Sequence, residues 1–284
     1  MAQFTNQAQL SYNGSVINSN IAVGEILEAL SAAKTAVTAT YRRGDSITYI
    51  ISAINSGSLP ITGLTVSDNL GAYSLGTATL YPLTYTEGSV RLFINGVLQP
   101  APAVEAGPPL QLSGITLPAG SNMVLVYEVE ANQFAPLGTD GSIVNTATIT
   151  GNGIPTPVAV SETVTPENGP ELTITKSIEP VPVTENGRVT YRFLIQNYGN
   201  TAADAEANVT LTDTFDPVLD NLTVLFNGET WTEGVQYTYD RDTGLFATVP
   251  GQITVPAATY TQVLESGEWV VTPGSGTLVV IGTI

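Results

Sequence analysis

The 284-residue chain contains no cysteine and no histidine. Disulfides, thiolate nucleophiles, most zinc sites and the commonest general base are removed together. Basic residues are scarce as well: Lys and Arg total 8 against 25 Asp and Glu, giving a formal net charge of -17. Nucleic acid is therefore a poor partner, because phosphate binding draws on clustered Lys and Arg. Long apolar runs are missing. The stretch Leu278–Gly282 is typical of the longest and is far too short to cross a bilayer, so no membrane insertion is expected. The opening residues are polar, without a basic start leading into an apolar core, so no secretory signal is visible. No nucleophile–base set stands out, which leaves an enzyme acting on a diffusing substrate as a remote reading, and no cofactor or metal is expected.

What remains is a chain built for packing. The hydrophobic fraction of 43% is enough to fill two cores of ordinary domain size, and only 12% of residues are charged. Thr, Val, Ile, Gly, Asn and Pro are abundant, alternation is frequent and turn signals recur at short intervals, a pattern that predicts an all-β fold.

The sequence also matches itself. Lys34–Gly57 aligns with Lys176–Gly199 without a gap, pairing Tyr49 with Tyr191, Asn55 with Asn197 and Gly57 with Gly199. Gly63–Leu70 aligns with Asn208–Phe215, which sets Asp68 opposite Asp213. Leu117–Val129 aligns with Thr272–Ile284, with Pro118 opposite Pro273. Two homologous β-sandwiches are the economical interpretation: domain 1 over 30–153 and domain 2 over 171–284, with linkers at 15–29 and 154–170.

Domain 1 runs on past Val129 to a closing strand, Ile143 to about Thr150. Domain 2 ends at Ile284, at a position aligned with Val129, and so lacks that strand. A matching segment lies at the other end of the chain. Residues 4–14 align with 143–153, placing Phe4 on Ile143, Asn6 on Asn145, Ala8 on Ala147 and Leu10 on Ile149. An open sandwich leaves unpaired backbone that must be covered. The expected event is donor-strand addition, in which residues 1–14 of one subunit complete domain 2 of another, anchored by Phe4, Ala8 and Leu10. Folding back onto the same molecule's domain 2 is the alternative, and it requires the segment to reach past the whole of domain 1. A head-to-tail contact need not close, and it generates filaments.

One segment carries two signals. Val23, Ile26, Leu27, Leu30 and Ala33 have helical spacing, whereas the repeat of this stretch, ELTITKS, reads as a strand. Extended structure is assigned from Leu30 onward.

Only two lysines occur, Lys34 and Lys176, at matching places in the two copies. Strand alternation sets Lys34 on a face with Leu30 and Ala32, and Lys176 on a face with Leu172 and Ile174. By the same rule Asp68, Asp213, Asn145 and Asn6 share faces with apolar residues. A lysine, an aspartate and an asparagine are thus aimed into each core. Burial disfavours charge, leaving a neutral amine and a protonated acid. The amine can then attack the asparagine carbonyl while aspartate polarises it and shuttles protons, and ammonia leaves. Fixing the partners in a packed core supplies the effective concentration. The competing interpretation is a buried Lys–Asp ion pair with the asparagine hydrogen-bonded to it. Such pairs contribute little net stability, and that account does not explain the absence of other lysines.

A leading LTITKS strand, VTYRFLIQNYGN, VTLTDTF and a closing VNTATIT resemble the bacterial cell-surface conserved repeat domain of unknown function, found in tandem arrays. The Lys, Asp and Asn arrangement is similar to the self-cross-linking domains of Gram-positive pilins and adhesins. Residues 70–86 and 230–268 fit poorly. The resemblance implies extracellular, cell-surface Ig-like sandwiches in which an isopeptide bond joins first and last strands; without a visible export signal, assembly before release by lysis, as on a spore surface, is the other expected route. The implied pairs are Lys34 with Asn145 in domain 1, and Lys176 of one molecule with Asn6 of another, with Asp68 and Asp213 as the catalytic acids. Related domains use glutamate as the acid or aspartate as the acceptor in some cases.

Asn95-Gly96 and Asn227-Gly228 predict hairpins. Asp240–Gly244 reads as a hairpin turn, with a calcium loop as the alternative. Trp231 and Trp269 read as core or interface residues rather than a binding patch, and scattered carboxylates as a solvated surface that keeps filaments apart. The function that follows is a self-associating structural subunit; the alternative is a two-domain stalk or ligand-binding module of an adhesin.

Overall fold

The computed structural model describes residues 2–26 and 29–284. Among them the regular structure is almost entirely β, with a single short 3-10 turn at Ala205–Ala207. In chain order the strands are β1 (Ala2–Asn6), β2 (Gln9–Tyr12), β3 (Ser15–Asn18), β4 (Ala22–Ile26), β5 (Leu30–Ala36), β6 (Thr40–Tyr41), β7 (Ser46–Asn55), β8 (Ile61–Asp68), β9 (Tyr73–Leu75) and β10 (Ala78–Leu80). Then come β11 (Leu83–Tyr85), β12 (Arg91–Ile94), β13 (Val97–Gln99), β14 (Ala103–Glu105), β15 (Leu110–Leu117), β16 (Asn122–Ala131), β17 (Ile143–Asn152) and β18 (Val158–Pro166). The remainder are β19 (Leu172–Glu179), β20 (Arg188–Asn197), β21 (Thr212–Thr214), β22 (Asp220–Phe226), β23 (Glu229–Trp231), β24 (Tyr237–Tyr239), β25 (Leu245–Thr248), β26 (Thr259–Gln262), β27 (Trp269–Thr272) and β28 (Gly274–Thr283).

The chain divides into two compact units. In the first, one sheet runs β13-β12-β16-β7-β5, with β11 also on β16, and the other runs β14-β15-β8-β17-β18-β6. Strict alternation in β7, β8, β16 and β17 turns Tyr49, Ile51, Leu64, Val66, Leu125, Tyr127 and Ile149 inward, where all are buried. β5 begins at Leu30, as expected for Lys34, and Val23 and Ile26 of the helically spaced set lie in strand β4; Leu27 and Glu28 lie outside the described residues. The residues expected as a linker after domain 1 instead carry β18, a full strand paired along β17 from Ile143↔Val164 to Ile149↔Val158. Apolar residues at alternate positions, Val158, Val160 and Val164, make it a sheet strand rather than a spacer.

The second unit has one sheet in the order β19-β20-β28-β22-β23 and a smaller one in the order β21-β25-β24. Phe193, Phe215, Val224, Phe246, Leu278 and Val280 form its core. The strand expected over Asn208–Phe215 is regular only at Thr212–Thr214. Where β8 is laddered on both edges, by β15 and β17, β21 pairs with β25 alone among the described residues, and a strand held on one side keeps less of its length in register.

Two expectations about the repeat are corrected by register. Tyr49 faces Tyr127 across β7 and β16, while its counterpart Tyr191 faces Val280 across β20 and β28. Tyr127 therefore corresponds to Val280, and Ile284 to Ala131 rather than Val129. The aligned prolines are not equivalent either. Asn55 Nδ2 donates to the Pro118 carbonyl at 3.1 Å, and Asn197 Nδ2 donates to that of Pro256 at 3.0 Å, so Pro256 takes the place assigned to Pro273. The hairpin of β26 and β27 is inserted between them. A two-residue slip leaves every side chain on its original face, so alternation alone could not detect it.

Residues 2–26 form a hairpin, β1 on β4 and β2 on β3, in which every residue from Phe4 to Val23 is exposed. The part of this segment expected as a linker, 15–26, supplies the returning strands. The turn is Asn13-Gly14, with φ of 46° and 79°, the left-handed pair that a two-residue hairpin requires. The two predicted Asn-Gly turns, at Asn95 and Asn227, close β12–β13 and β22–β23 in the same way.

Candidate functional site

In the first unit, β5 at the edge of one sheet brings Lys34 over Asp68, the last residue of β8 in the other. Lys34 Nζ donates to Asp68 Oδ2 at 2.6 Å, with both side chains essentially without solvent (0% and 1% exposed). Tyr127 Oη donates to the same carboxylate oxygen. The backbone N–H of Leu70 donates to Oδ1 at 2.9 Å. The ammonium lies 4.6 Å from the ring centre of Tyr49 and 5.9 Å from that of Tyr127, which stack at 5.9 Å. Burial pulls the Lys34 amine below its ordinary 10.5, against the pull of Asp68 and, more weakly, Glu162. The direction is the one that nucleophilic attack requires.

Asn145 completes the site from β17. It is fully buried, two residues before Ala147, which sits opposite Asp68 in the β17–β8 ladder. Neither its Oδ1 nor its Nδ2 has a hydrogen-bond partner. The Tyr49 hydroxyl is buried without a partner as well. Burial pushes the phenols of Tyr49 and Tyr127 well up from 10.0, and the neighbouring Asn145 amide opposes that rise in both. The amide therefore stands beside both hydroxyls, outside good hydrogen-bond geometry. Leaving a buried polar group unsatisfied costs about 1–3 kcal/mol, so a fully buried side-chain amide without partners is unusual in an ion-pair site.

Three residues here were not singled out as site residues from the sequence: Tyr49 and Tyr127, whose rings and hydroxyls line the site, and Glu162, opposite Asn145 on β18. Tyr127 shares its face with Met123, Leu125 and Val129, all buried. A polar-tipped aromatic on an inward face was the available signal.

The second unit repeats half of this arrangement. Lys176 Nζ donates to Asp213 Oδ2, and the ammonium lies 4.8 Å from the Tyr191 ring centre and 5.6 Å from that of Phe215. Here the lysine side chain is 42% exposed and the aspartate 19%. No asparagine faces them among the described residues, and Val280 stands where Tyr127 would supply a hydroxyl. Leu172, Ile174 and Ile178, on the lysine's own face, are 37%, 55% and 41% exposed. Asn6, Phe4, Ala8 and Leu10 lie in the N-terminal hairpin, exposed to solvent. Asn6 pairs with Ala22 across β1 and β4.

No protein-family profile matches the sequence, and no curated protein matches it. Solved structures similar to this chain include Gram-positive pilin backbones and adhesin domains, and also a family 123 glycoside hydrolase of Clostridium perfringens, 10% identical over 49% of this chain and 28% of that one at a TM-score of 0.29. The major pilin BcpA of Bacillus cereus is 11% identical, over 96% of this chain and 73% of that one, at a TM-score of 0.37. SpaD of Corynebacterium diphtheriae is 16% identical over 85% of this chain and 60% of its own, at 0.36. The pilus backbone RrgB of Streptococcus pneumoniae is 13% identical over 86% of this chain, at 0.35, and is matched over only 55% of its length.

The weaker sequence signals resolve simply. Asp240 Oδ1 accepts from the backbone N–H groups of Asp242 at 2.8 Å and Thr243 at 3.3 Å, forming a turn that ends at Gly244. Trp231 packs against Phe226 on the core of the second unit, ring centres 5.1 Å apart. Among the described residues no helix is long and apolar enough to cross a membrane.

Proposed function

We propose that the protein is a structural subunit that polymerises head to tail into a filament at the cell or spore surface. The N-terminal segment of one molecule fills the second sandwich of the next. A Lys34–Asn145 isopeptide bond locks domain 1, and a Lys176–Asn6 bond joins subunits. The observation that carries this reading is the free edge of β21: a sheet that in the first unit continues through β17 ends here beside an exposed lysine and an exposed apolar face, while a segment matching β17 stands exposed elsewhere in the chain.

The chemistry balances within the residues named. The neutral Lys34 Nζ adds to Asn145 Cγ, the carbonyl oxygen takes negative charge as the centre becomes tetrahedral, and the Tyr49 hydroxyl is free to donate to it. Asp68, protonated where the amine is neutral, gives its proton to Nδ2 and takes one from the attacking nitrogen, the Cγ–Nδ2 bond breaks, and one ammonia leaves for each amide formed. At the subunit joint the amine meets a water-poor site only once a donor is seated, so bond formation follows docking.

The purified chain tests this directly. Ladders of multiples that survive boiling in detergent are expected, together with loss of one ammonia from domain 1. A chain that stays a monomer at high concentration sinks the filament and favours the stalk or ligand-binding module.

A further inference from the structure

Two strands, β17 and β18, stand between β8 and β6 in the first unit, and neither has a counterpart beside β21 among the described residues. In the first unit the sheet passes from β8 through β17 and its return strand β18 before ending at β6; in the second it stops at β21. The N-terminal segment is two-stranded in the same way. Its outgoing half, β1 and β2, is paired on one edge by β4 and β3 and unpaired on the other among the described residues, which is the edge that β21 also leaves free. We propose that the element passed between subunits is the whole hairpin of residues 2–26, added as a preformed two-stranded piece rather than as a single strand. This rests on the donor reading above and specifies its partner as a second copy of this chain.

Register follows from the first unit. Ala147 lies opposite Asp68 and Ile149 opposite Val66, so Ala8 falls opposite Asp213 and Leu10 opposite Leu211. Asn6 then enters on the inward face, as Asn145 does. The hairpin presents the required surface: Leu10 and Ile17 are directly opposed and share a face, alternation along the outgoing half sets Phe4 with Leu10, and all three are at least half exposed. Its two halves are joined at an irregularity with one more residue on the returning side, and Ser19 pins it, with its N–H donating to the Ala8 carbonyl at 2.8 Å and its Oγ accepting from the Ala8 N–H at 2.9 Å. Docking an ordered hairpin avoids ordering a loose strand at the moment of binding, and its outer strand covers the edge that a single strand would leave open.

A reversible staple separates the two forms of donor. Thr5 and Val23 are directly opposed, on the face turned away from Phe4 and Asn6, and the chain has no other thiol to compete. The double variant Thr5→Cys/Val23→Cys is oxidised with diamide, which takes up the two thiol hydrogens as the S–S bond forms, and closure is checked by thiol titration. Ser11→Cys/Val16→Cys does the same nearer the turn. A hairpin donor gives the same ladders oxidised and reduced. Ladders lost on oxidation and regained with dithiothreitol overturn the hairpin while leaving a single-strand donor standing. Loss in both redox states in both variants, with the native chain assembling, overturns it too, because it shows that the face meant to stay in solvent is buried. A native chain that forms neither ladders nor light-scattering assemblies at high concentration sinks the donor reading and the hairpin with it.

Discussion

Lys34 and Lys176 hold matching places in the two copies and differ in their relation to water. The first is enclosed by Tyr49, Tyr127 and Asp68 beneath β17; the second lies against Tyr191, Phe215 and Asp213 with 42% of its side chain exposed. Asn145→Ala removes the acceptor and leaves the amine buried, so the intact mass of the variant is expected to show no loss of ammonia. Its stability is expected to depend on pH in a set direction. Folded Lys34 holds its proton less readily than the unfolded chain does, so stability rises with pH from the lowered folded value up to 10.5 and is lost as pH falls through that window. The buried phenols act oppositely above 10.0, where the unfolded chain gives up protons first. Urea melts between neutral pH and pH 10 check the sign, and a flat profile refutes the buried, uncross-linked amine. At the other site, Lys176→Arg or Asn6→Ala is expected to leave filaments that dissolve in hot detergent; unchanged ladders rule out that pair.

At the scale of elements, β21 and the N-terminal hairpin each leave one hydrogen-bonding edge without a strand partner among the described residues. Phe4 and Leu10 would each contribute up to roughly 1.5–3 kcal/mol on burial, so Phe4→Ala or Leu10→Ala is expected to weaken the joint by about 10- to 100-fold, measured as critical concentration by light scattering. Gly24 offers a subtler probe. A Cβ there would fall 2.3 Å from the Phe4 ring, so Gly24→Val must push the ring off its own hairpin and is expected to raise the critical concentration without touching any proposed cross-link. The sequence showed which segment resembles β17 but not that it turns back on itself. The cue was present in Asn13-Gly14, the same dipeptide that correctly marked two other hairpins, and it was absorbed into the alignment with Asn152-Gly153. The returning strands, from Ser15 to Ile26, have no obvious likeness to β18, so alignment offered no second signal.

For the whole molecule, 25 acidic and 8 basic residues make like-charge repulsion the default between neighbouring filaments. Raising salt shortens the reach of that repulsion, to about 8 Å at physiological ionic strength, and is expected to bundle filaments while leaving subunit joints intact. Electron micrographs across a salt series check this, and bundling that is insensitive to salt contradicts it. Removing Met1–Tyr12 is expected to abolish polymerisation and leave domain 1 folded with its ammonia lost, since no residue of the Lys34 site lies in that segment.

Alternation and repetition were enough to establish the sandwich fold and to set each lysine beside the aspartate of its own copy, because those features depend on strand period and on spacing within the repeat. Three things needed the folded chain. The true register of β28 against β20 was invisible because a slip of two residues preserves the faces. The hydroxyls of Tyr49 and Tyr127 meet Asn145 only across the gap between sheets. The difference between the two lysines is decided by whether a strand from elsewhere covers them, and burial is a property of neighbours that a local pattern does not contain.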